Sequence, residues 1–215
     1  MGTRGVDQGA ARLGEIVEAS TSSWRAVAPR TFSAPAFGSL VKTSDGSRTT
    51  YGVVAHVEHA SVDPSRKAIP LGRSWDELER EQPQVLDLLT TEFQAICVAF
   101  AEGGGAICAY LPPVPPRVHD FVTACEAEEI IELTEDLSFI RTLAACGLPV
   151  AAELVAAAIR AAASYRQDRR AFLVRAGREV ADLYRQDYEQ ASAIIRRFGL
   201  ETDRSPKASR KAASR

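Results

Sequence analysis

Histidine and cysteine are the residue types in this 215-residue chain best suited to nucleophilic or metal chemistry. A hydrolase needs a nucleophile beside a base and an orienting group, and no serine or cysteine motif accompanies His56, His59 or His119. His56 and His59 flank Glu58, but residues three apart in a strand point to opposite faces, which argues against a shared metal ion. We interpret this pair as surface residues near a strand end. The sequence therefore predicts no catalytic residue, no cofactor and no metal site, and indicates a chain that is not an enzyme.

The cysteines form no Cys-x-x-Cys pair and lie among mostly apolar neighbours, which is typical of small core residues. They are Cys97, Cys108, Cys125 and Cys146. A Cys97–Cys108 disulfide across a hairpin is the alternative. Because residues 1–12 lack the apolar core of a secretion signal, we expect reduced thiols and a cytoplasmic location. No stretch approaches the roughly 18 consecutive apolar residues of a membrane helix, so we expect no membrane insertion.

The glycine run Gly103–Gly105 does not have the sequence of a phosphate-binding loop. It lacks the Gly-Lys-Ser/Thr of a Walker A motif and joins two predicted strands rather than a strand and a helix. Nucleotide binding is therefore not expected at this position.

Charge is distributed unevenly along a chain whose net charge is only -2. Residues 76–92 carry six acids against one base, and residues 126–136 carry six acids and no base. Residues 160–197 instead hold nine arginines against five acids, and residues 201–215 hold five bases against two acids. Such asymmetry can steer a nucleic acid or an acidic partner to one end of a molecule; ordinary solvated helix faces with a solubilising tail are the alternative.

The period of the apolar residues changes near residue 125, from short glycine-punctuated runs to helical spacing. The first part predicts an α+β protein with a small N-terminal antiparallel β-barrel, whose corners would be Gly14, Gly38 and Gly52. Asp45-Gly46 is a hairpin-turn signal between two predicted strands. The predicted hairpins are formed by strands 13–19 and 24–28, strands 37–43 and 49–57, and an added pair at 93–100 and 106–111.

The second part predicts a three-helix C-terminal region at 127–145, 151–164 and 169–198. A short acidic helix, capped by Ser74 or Asp76 and running to Glu81, precedes it, and Pro83 ends or restarts that helix. The predicted organisation is a disordered N-terminus at 1–12, a β-barrel and hairpin region at 13–125, a helical region at 126–199 and a disordered basic tail at 200–215.

Several segments together resemble the HAS-barrel proteins, named for the barrel found ahead of HerA-type translocases and F-type ATP synthase subunits. The segments are Gly14–Ser22, Phe37–Lys42, Tyr51–Val54, Asp63–Lys67, the proline-rich Leu111–Val122 and Ala171–Arg178. The resemblance spans residues 13–198 and implies a stand-alone barrel protein without the ATPase core, because the chain has no Walker A motif.

The resemblance implies a non-catalytic accessory or adaptor protein that docks on a larger assembly, such as a HerA-like hexameric P-loop ATPase ring. The candidate binding residues are Arg117, His119, Arg175, Arg178, Lys207, Arg210 and Lys211. We interpret Pro112–Pro116 as a stiff spacer and His119 as a hydrogen-bonded hinge between barrel and helices.

The alternative is a DNA-associated factor that binds nucleic acid through its arginine-rich helices and basic tail. The aromatic residues that could stack on bases are Trp24, Phe32, Phe37 and Tyr51, and we interpret each as a core residue.

Overall fold

The structure is a computed structural model, and it describes residues 11–63, 65 and 68–199. Within those residues the protein is α+β, with a closed six-stranded antiparallel β-barrel followed mainly by helices. The predicted disordered ends at 1–12 and 200–215 lie outside the described residues except for Ala11 and Arg12. The disorder predicted for Arg12 is wrong, because the first strand begins at this residue, one position before its predicted start.

The barrel has the strand order β1-β2-β5-β4-β3-β6. The predicted hairpins of β1 with β2 and of β3 with β4 are confirmed, and the second one turns at Asp45 and Gly46. The strands are β1 Arg12–Ala19, β2 Ser23–Val27, β3 Leu40–Ser44, β4 Arg48–Ser61, β5 Leu89–Glu102 and β6 Phe121–Ala124.

The added hairpin predicted at 93–100 and 106–111 is wrong in its second half. Residues 106–111 form no strand, and only one bridge joins Phe100 to Cys108. The chain instead passes through the proline stretch to β6, which pairs with both β1 and β3 and closes the barrel. Prolines cannot donate to a ladder, which explains why the chain runs past the barrel before it rejoins the sheet.

Two large aromatic side chains, Trp24 and Phe93, fill the barrel interior. The barrel closes around them because Gly52 and Gly14 leave the necessary space: a Cβ at Gly52 would lie 2.4 Å from the Trp24 ring, and one at Gly14 would lie 2.7 Å from Phe93. Pairing shifts by a residue next to each glycine, as expected at barrel corners. Gly38 is not such a corner: it precedes β3, has φ of 83°, and packs against Ala157 of a later helix.

The helices that follow residue 126 cover the outer face of β3, β4 and β5 and form a second core with it. On the barrel side this core contains Tyr51, Val53, Ile96 and Val98. The helices are α1 Trp75–Glu81, α2 Pro83–Leu86, α3 Ala127–Leu133, α4 Ser138–Ala144, α5 Ala151–Ala163, α6 Arg169–Leu183 and α7 Tyr188–Phe198.

The prediction of three C-terminal helices is not confirmed, because the first and third are each divided. The first breaks between α3 and α4, and the third breaks where Asp187 caps α7 by accepting a hydrogen bond from the backbone N–H of Gln190. The predicted acidic helix is confirmed as α1: the Ser74 side chain accepts from the N–H of Glu77, and the Glu77 carboxylate accepts from the N–H of Ser74. A second short helix, α2, begins at Pro83.

In the part of the chain that the structure describes, no helix combines the length and the apolar composition needed to cross a membrane.

Candidate docking site at the aromatic end of the barrel

β4 and β5 are longer than the other strands and project beyond one end of the barrel as a two-stranded ribbon. Their pairing continues to Ser61 and Leu89, whereas β3 pairs with β4 only as far as Val53. β2 pairs with β5 from Glu92 onward. The projecting ribbon places residues 56–61 and 89–91 beside the loop that follows β2.

Three aromatic rings meet at the surface of this projection, and we call Phe32, His59 and Trp75 the aromatic end. The Phe32 ring centroid lies 4.4 Å from that of His59 and 4.8 Å from that of Trp75, both in edge-on geometry. Phe32 is 49% exposed and Trp75 is 40% exposed, so neither ring is buried by the contacts. Edge-to-face contacts of this kind orient aromatic rings.

Phe32 has a backbone conformation that a side chain of its type rarely adopts. Its φ is 65°, in the left-handed region that costs a non-glycine residue on the order of 1–3 kcal/mol. Such strain persists only where neighbours impose it, and it is found preferentially at binding sites. The position of Phe32 therefore marks this surface as a candidate site.

The buried hydroxyl of Thr91 holds the strained residue in place. It accepts a hydrogen bond of 2.8 Å from the backbone N–H of Phe32 and bonds at 2.8 Å to Nδ1 of His59. Next to it, the Thr31 hydroxyl donates to the Leu89 carbonyl at 3.2 Å. Thr91 is only 1% exposed, so a buried residue holds the Phe32 backbone and the His59 ring in position.

The surroundings of the aromatic end combine exposed apolar side chains with acids. Trp75 begins α1, whose following residues include Asp76, Glu77 and Glu79. The exposed apolar residues at the ribbon tip and in the segment between β4 and α1 are Val62, Ile69, Leu71 and Leu88. Of these, Val62 and Leu88 lie together at the ribbon tip, joined by a backbone hydrogen bond. Exposed apolar and aromatic side chains bordered by charged residues are a common feature of protein interfaces.

Arg117 and His119 lie in the segment before β6. Arg117 forms an ion pair of 3.5 Å with Asp45, which lies beside the first residue of β4 and so at the opposite end of that strand from the aromatic end. His119 contacts Glu15 at 2.6 Å through Nδ1 and donates its backbone N–H to Ile16. The His119 contacts attach this segment to β1, and the Arg117 contact attaches it to the turn between β3 and β4. Both sets of contacts are to the barrel and not to the helices, so the predicted barrel-to-helix hinge is not supported.

The arginine-rich helices use part of their charge internally. Arg175 donates to the carboxylate and the backbone carbonyl of Glu135. Arg166, which lies between α5 and α6, bonds to Glu135 and Thr134 and covers the Phe172 ring. Arg178 is exposed and has no ion pair with a described residue. The remaining candidates, Lys207, Arg210 and Lys211, lie outside the described residues.

The local environment shifts the pKa values of two cysteines and one glutamate. Burial raises the pKa of the Cys97 thiol to about 12 and also raises that of Cys125. Hydrogen bonds from Arg166 and Arg175 lower the pKa of Glu135. Neither thiol is an activated nucleophile, because activation requires a lowered pKa.

The four cysteines are free thiols, and the residues that the structure describes contain no group of three or more metal-ligating side chains. A concavity of about 450 Å³ opens on the surface between α5, α7 and Phe37, away from the three aromatic rings. Alanines line its floor, and an Arg197–Glu153 ion pair of 2.9 Å crosses its rim.

Fold and site together define an α+β barrel protein with a preorganised aromatic surface. No protein-family model matches the chain, and a search of the curated proteins finds no match.

Sequence reasoning identified the helix that carries Trp75, but the strand predicted at 49–57 ended two residues before His59, so the projecting ribbon and the site itself were missed. Phe32 and Phe37 were expected in the core and are exposed, whereas Trp24 and Tyr51 are buried as expected. The three rings come from a loop, a strand and a helix that are more than ten residues apart, so only the tertiary structure brings them together. The signal in the sequence was Trp75, an aromatic residue that directly follows the capping residue of a helix whose other residues are charged except for Leu78.

Proposed function

We propose that this protein is a non-catalytic adaptor that docks on a larger protein assembly through its aromatic end. The observation that carries the proposal is Phe32, an exposed aromatic residue held in a strained conformation by a buried threonine. Tryptophan, tyrosine and other aromatic anchors dominate the energetics of protein interfaces, and rigid anchors lose little entropy on binding. Phe32 and Trp75 are both aromatic and both held rigid, since their mutual contact orients the two partly exposed rings before any partner binds.

The charge around the site favours a protein over a nucleic acid. Phosphate contacts need free lysine or arginine. Residues 73–81 around Trp75 carry four acids against two arginines, and both arginines lie within ion-pair distance of Glu81. Glu58 adds an acid on the ribbon beside His59. An apolar centre with an acidic rim suits a protein surface whose own apolar patch is bordered by basic residues.

The resemblance to HAS-barrel proteins supports a specific partner class, a hexameric P-loop ATPase ring of the HerA type. The chain has no Walker A motif of its own, so it would act as a separately encoded collar and not as the motor. The proposed location is the cytoplasm.

The test is capture of partners from the native cell with tagged protein, comparing wild type with Trp75→Ala and with Tyr188→Ala as the matched control. Tyr188 is an 82% exposed aromatic residue on α7, away from the aromatic end. We expect a P-loop ATPase to be recovered by the wild type and by Tyr188→Ala, and recovery to fall at least about tenfold with Trp75→Ala. Repeated recovery of an unrelated complex, or equal recovery by all three proteins, would contradict the proposal.

A DNA-associated role is the second candidate, and it is favoured by the arginines that make no ion pair with a described residue. Arg169, Arg170 and Arg178 are exposed on α6. Binding of labelled duplex DNA that weakens steeply with salt, and that is lost when residues 204–215 are deleted, would support this role. Salt-insensitive or absent binding would exclude it.

A further inference from the structure

The projecting ribbon leaves one sheet edge open in a barrel that otherwise closes on itself. β3 accompanies β4 as far as Val53, and the backbone of Val54 still bonds to Gly38 and Ser39. Beyond a shift in pairing between Val54 and His56, only β5 pairs with β4 among the described residues. The last residues of β4 therefore form an edge strand.

Two hydrogen bonds establish which backbone groups point outward. The N–H of Val62 donates to the carbonyl of Leu88 across the ribbon. In an antiparallel pair every second residue bonds to the partner strand, so the backbone groups of Ala60, Glu58 and His56 also face β5. The N–H of Ala28 donates to the carbonyl of Thr91, so the backbone of Thr91 faces β2 and not β4. This agrees with the pattern above, in which His59, opposite Thr91, makes no backbone bond to β5.

It follows that Val57, His59 and Ser61 direct their backbone N–H and C=O groups to the open edge. None of these groups has a hydrogen-bond partner among the described residues. An exposed edge with unpaired groups is a template for another strand, and this one contains no lysine or proline to block pairing.

The open edge is complementary to itself about His59. When two copies of β4 lie antiparallel with His59 opposite His59, Val57 faces Ser61 of the other copy, and all outward groups of these residues pair. In this register Glu58 faces Ala60 of the other copy and not a second glutamate. Like charges directly opposite would destabilise the pairing, and this arrangement avoids them.

We propose that the protein forms a two-fold symmetric dimer by antiparallel pairing of β4 with β4 of a second copy, centred on His59. The interface is of the isologous type that most dimers use. This inference stands on the backbone geometry and does not require the proposed docking function. Because His59 belongs to both surfaces, the dimer would place two aromatic ends side by side, and a partner with repeated sites would then bind both with increased avidity.

The test uses the close contact of residue 60 with Glu58 of the other copy. Ala60→Glu places carboxylates opposite each other twice per dimer, and Ala60→Lys places a lysine opposite Glu58 instead. We expect Ala60→Glu to raise the dimer dissociation constant about tenfold and Ala60→Lys to lower it. The double variant Glu58→Lys/Ala60→Glu restores opposite charges and should return the constant close to that of the wild type.

Sedimentation velocity over a concentration series gives the dissociation constants, and far-UV circular dichroism verifies that each variant is folded. Amide hydrogen exchange provides an independent readout, since Val57, His59 and Ser61 should exchange more slowly as the dimer forms. A chain that stays monomeric at all concentrations would overturn the proposal. A dimer indifferent to all three variants would do the same, because its interface would lie elsewhere.

Discussion

At the level of single residues, the barrel depends on glycines that face large aromatic rings. Gly52 stands against the Trp24 ring, so the position has no room for even one additional carbon. Gly177, in α6, has room for a larger side chain. A Cβ there would meet only the Phe198 ring at 3.9 Å, an ordinary contact distance.

We predict opposite effects for alanine at these two positions. Gly52→Ala should lower the free energy of unfolding by about 1–3 kcal/mol, because the packed ring and the neighbouring strand must move. Gly177→Ala should raise it by about 0.5–1 kcal/mol, because alanine reduces the entropy lost when the helix forms. Urea denaturation of both variants measures the two effects. A Gly52→Ala variant as stable as the wild type would show that Trp24 does not pack against Gly52 as described.

Asp45 organises the turn between β3 and β4. Its carboxylate accepts hydrogen bonds from the backbone N–H groups of Ser47 and Arg48 and from the Ser47 hydroxyl, at 2.7 to 2.9 Å. Partial burial acts to raise the pKa of this carboxyl, but these bonds and the nearby Arg117 outweigh burial and lower the pKa to about 2.

Because the pKa of Asp45 is lower in the folded state than in the unfolded state, the free energy of unfolding depends on pH. The unfolded carboxyl takes up a proton near pH 4 and the folded one near pH 2, so the stabilisation from Asp45 is complete above pH 4 and is lost as the pH falls to 2. We predict that Asp45→Asn is less stable than wild type by about 1–2 kcal/mol at pH 7. The difference should shrink between pH 4 and pH 2, as measured by urea denaturation at each pH. A difference that stays constant with pH would contradict this assignment.

At the level of elements, a polar contact joins α3 to the barrel. Lys42 of β3 donates to both carboxylate oxygens of Glu129 at 2.8 Å, and the Tyr51 hydroxyl donates to the same group at 3.4 Å. Glu129 also accepts from the backbone N–H of Glu126 at the start of α3. Burial and the adjacent Glu129 charge raise the pKa of Tyr51, so its hydroxyl stays a donor at neutral pH.

We predict that Glu129→Gln costs about 1 kcal/mol or more of unfolding free energy, because it leaves the half-buried Lys42 ammonium without its counter-charge. Glu132→Gln, on the exposed side of the same helix, is the matched control and should change stability by less than about 0.5 kcal/mol. A double-mutant cycle with Lys42→Met isolates the pair, and a coupling energy near zero would disprove the contact.

Elements with a strong local signal could be predicted from the sequence. Alternating apolar residues around an Asp-Gly turn defined β3 and β4, and the Ser74 capping box with the acids after it defined α1. β6 could not be predicted, since it has only four residues after a proline stretch and exists through pairing with β1 and β3. The breaks before α4 and α7 were missed because the apolar period continues across them, although Asp187 is itself a capping residue.

The candidate site required more than local signals. Phe32 is exposed because a hydrogen bond from its backbone to Thr91, 59 positions along the chain, sets its conformation. No periodic pattern in the sequence contains such information.

At the level of the whole molecule, barrel and helices share a core and should unfold together. Side chains of β4 and β5 such as Val53 and Val98 pack in one cluster with Ile140, Leu154 and Phe198 of the helices. We predict one cooperative transition, in which helical circular dichroism and the fluorescence of Trp24 in a Trp75→Phe background change at the same urea concentration. Two separate transitions would show that the two parts fold independently.

The central claim is that a protein partner contacts the aromatic end, and site-specific photocrosslinking in the native cell tests it most directly. Benzoylphenylalanine would replace Phe32 or Trp75 in turn, with replacement of Tyr188 as the control, and crosslinked proteins would be identified by mass spectrometry. The account predicts crosslinks to one P-loop ATPase from both positions at the aromatic end and none to it from Tyr188. Crosslinks to that ATPase from Tyr188 alone, or no protein crosslink from Phe32 and Trp75, would contradict it.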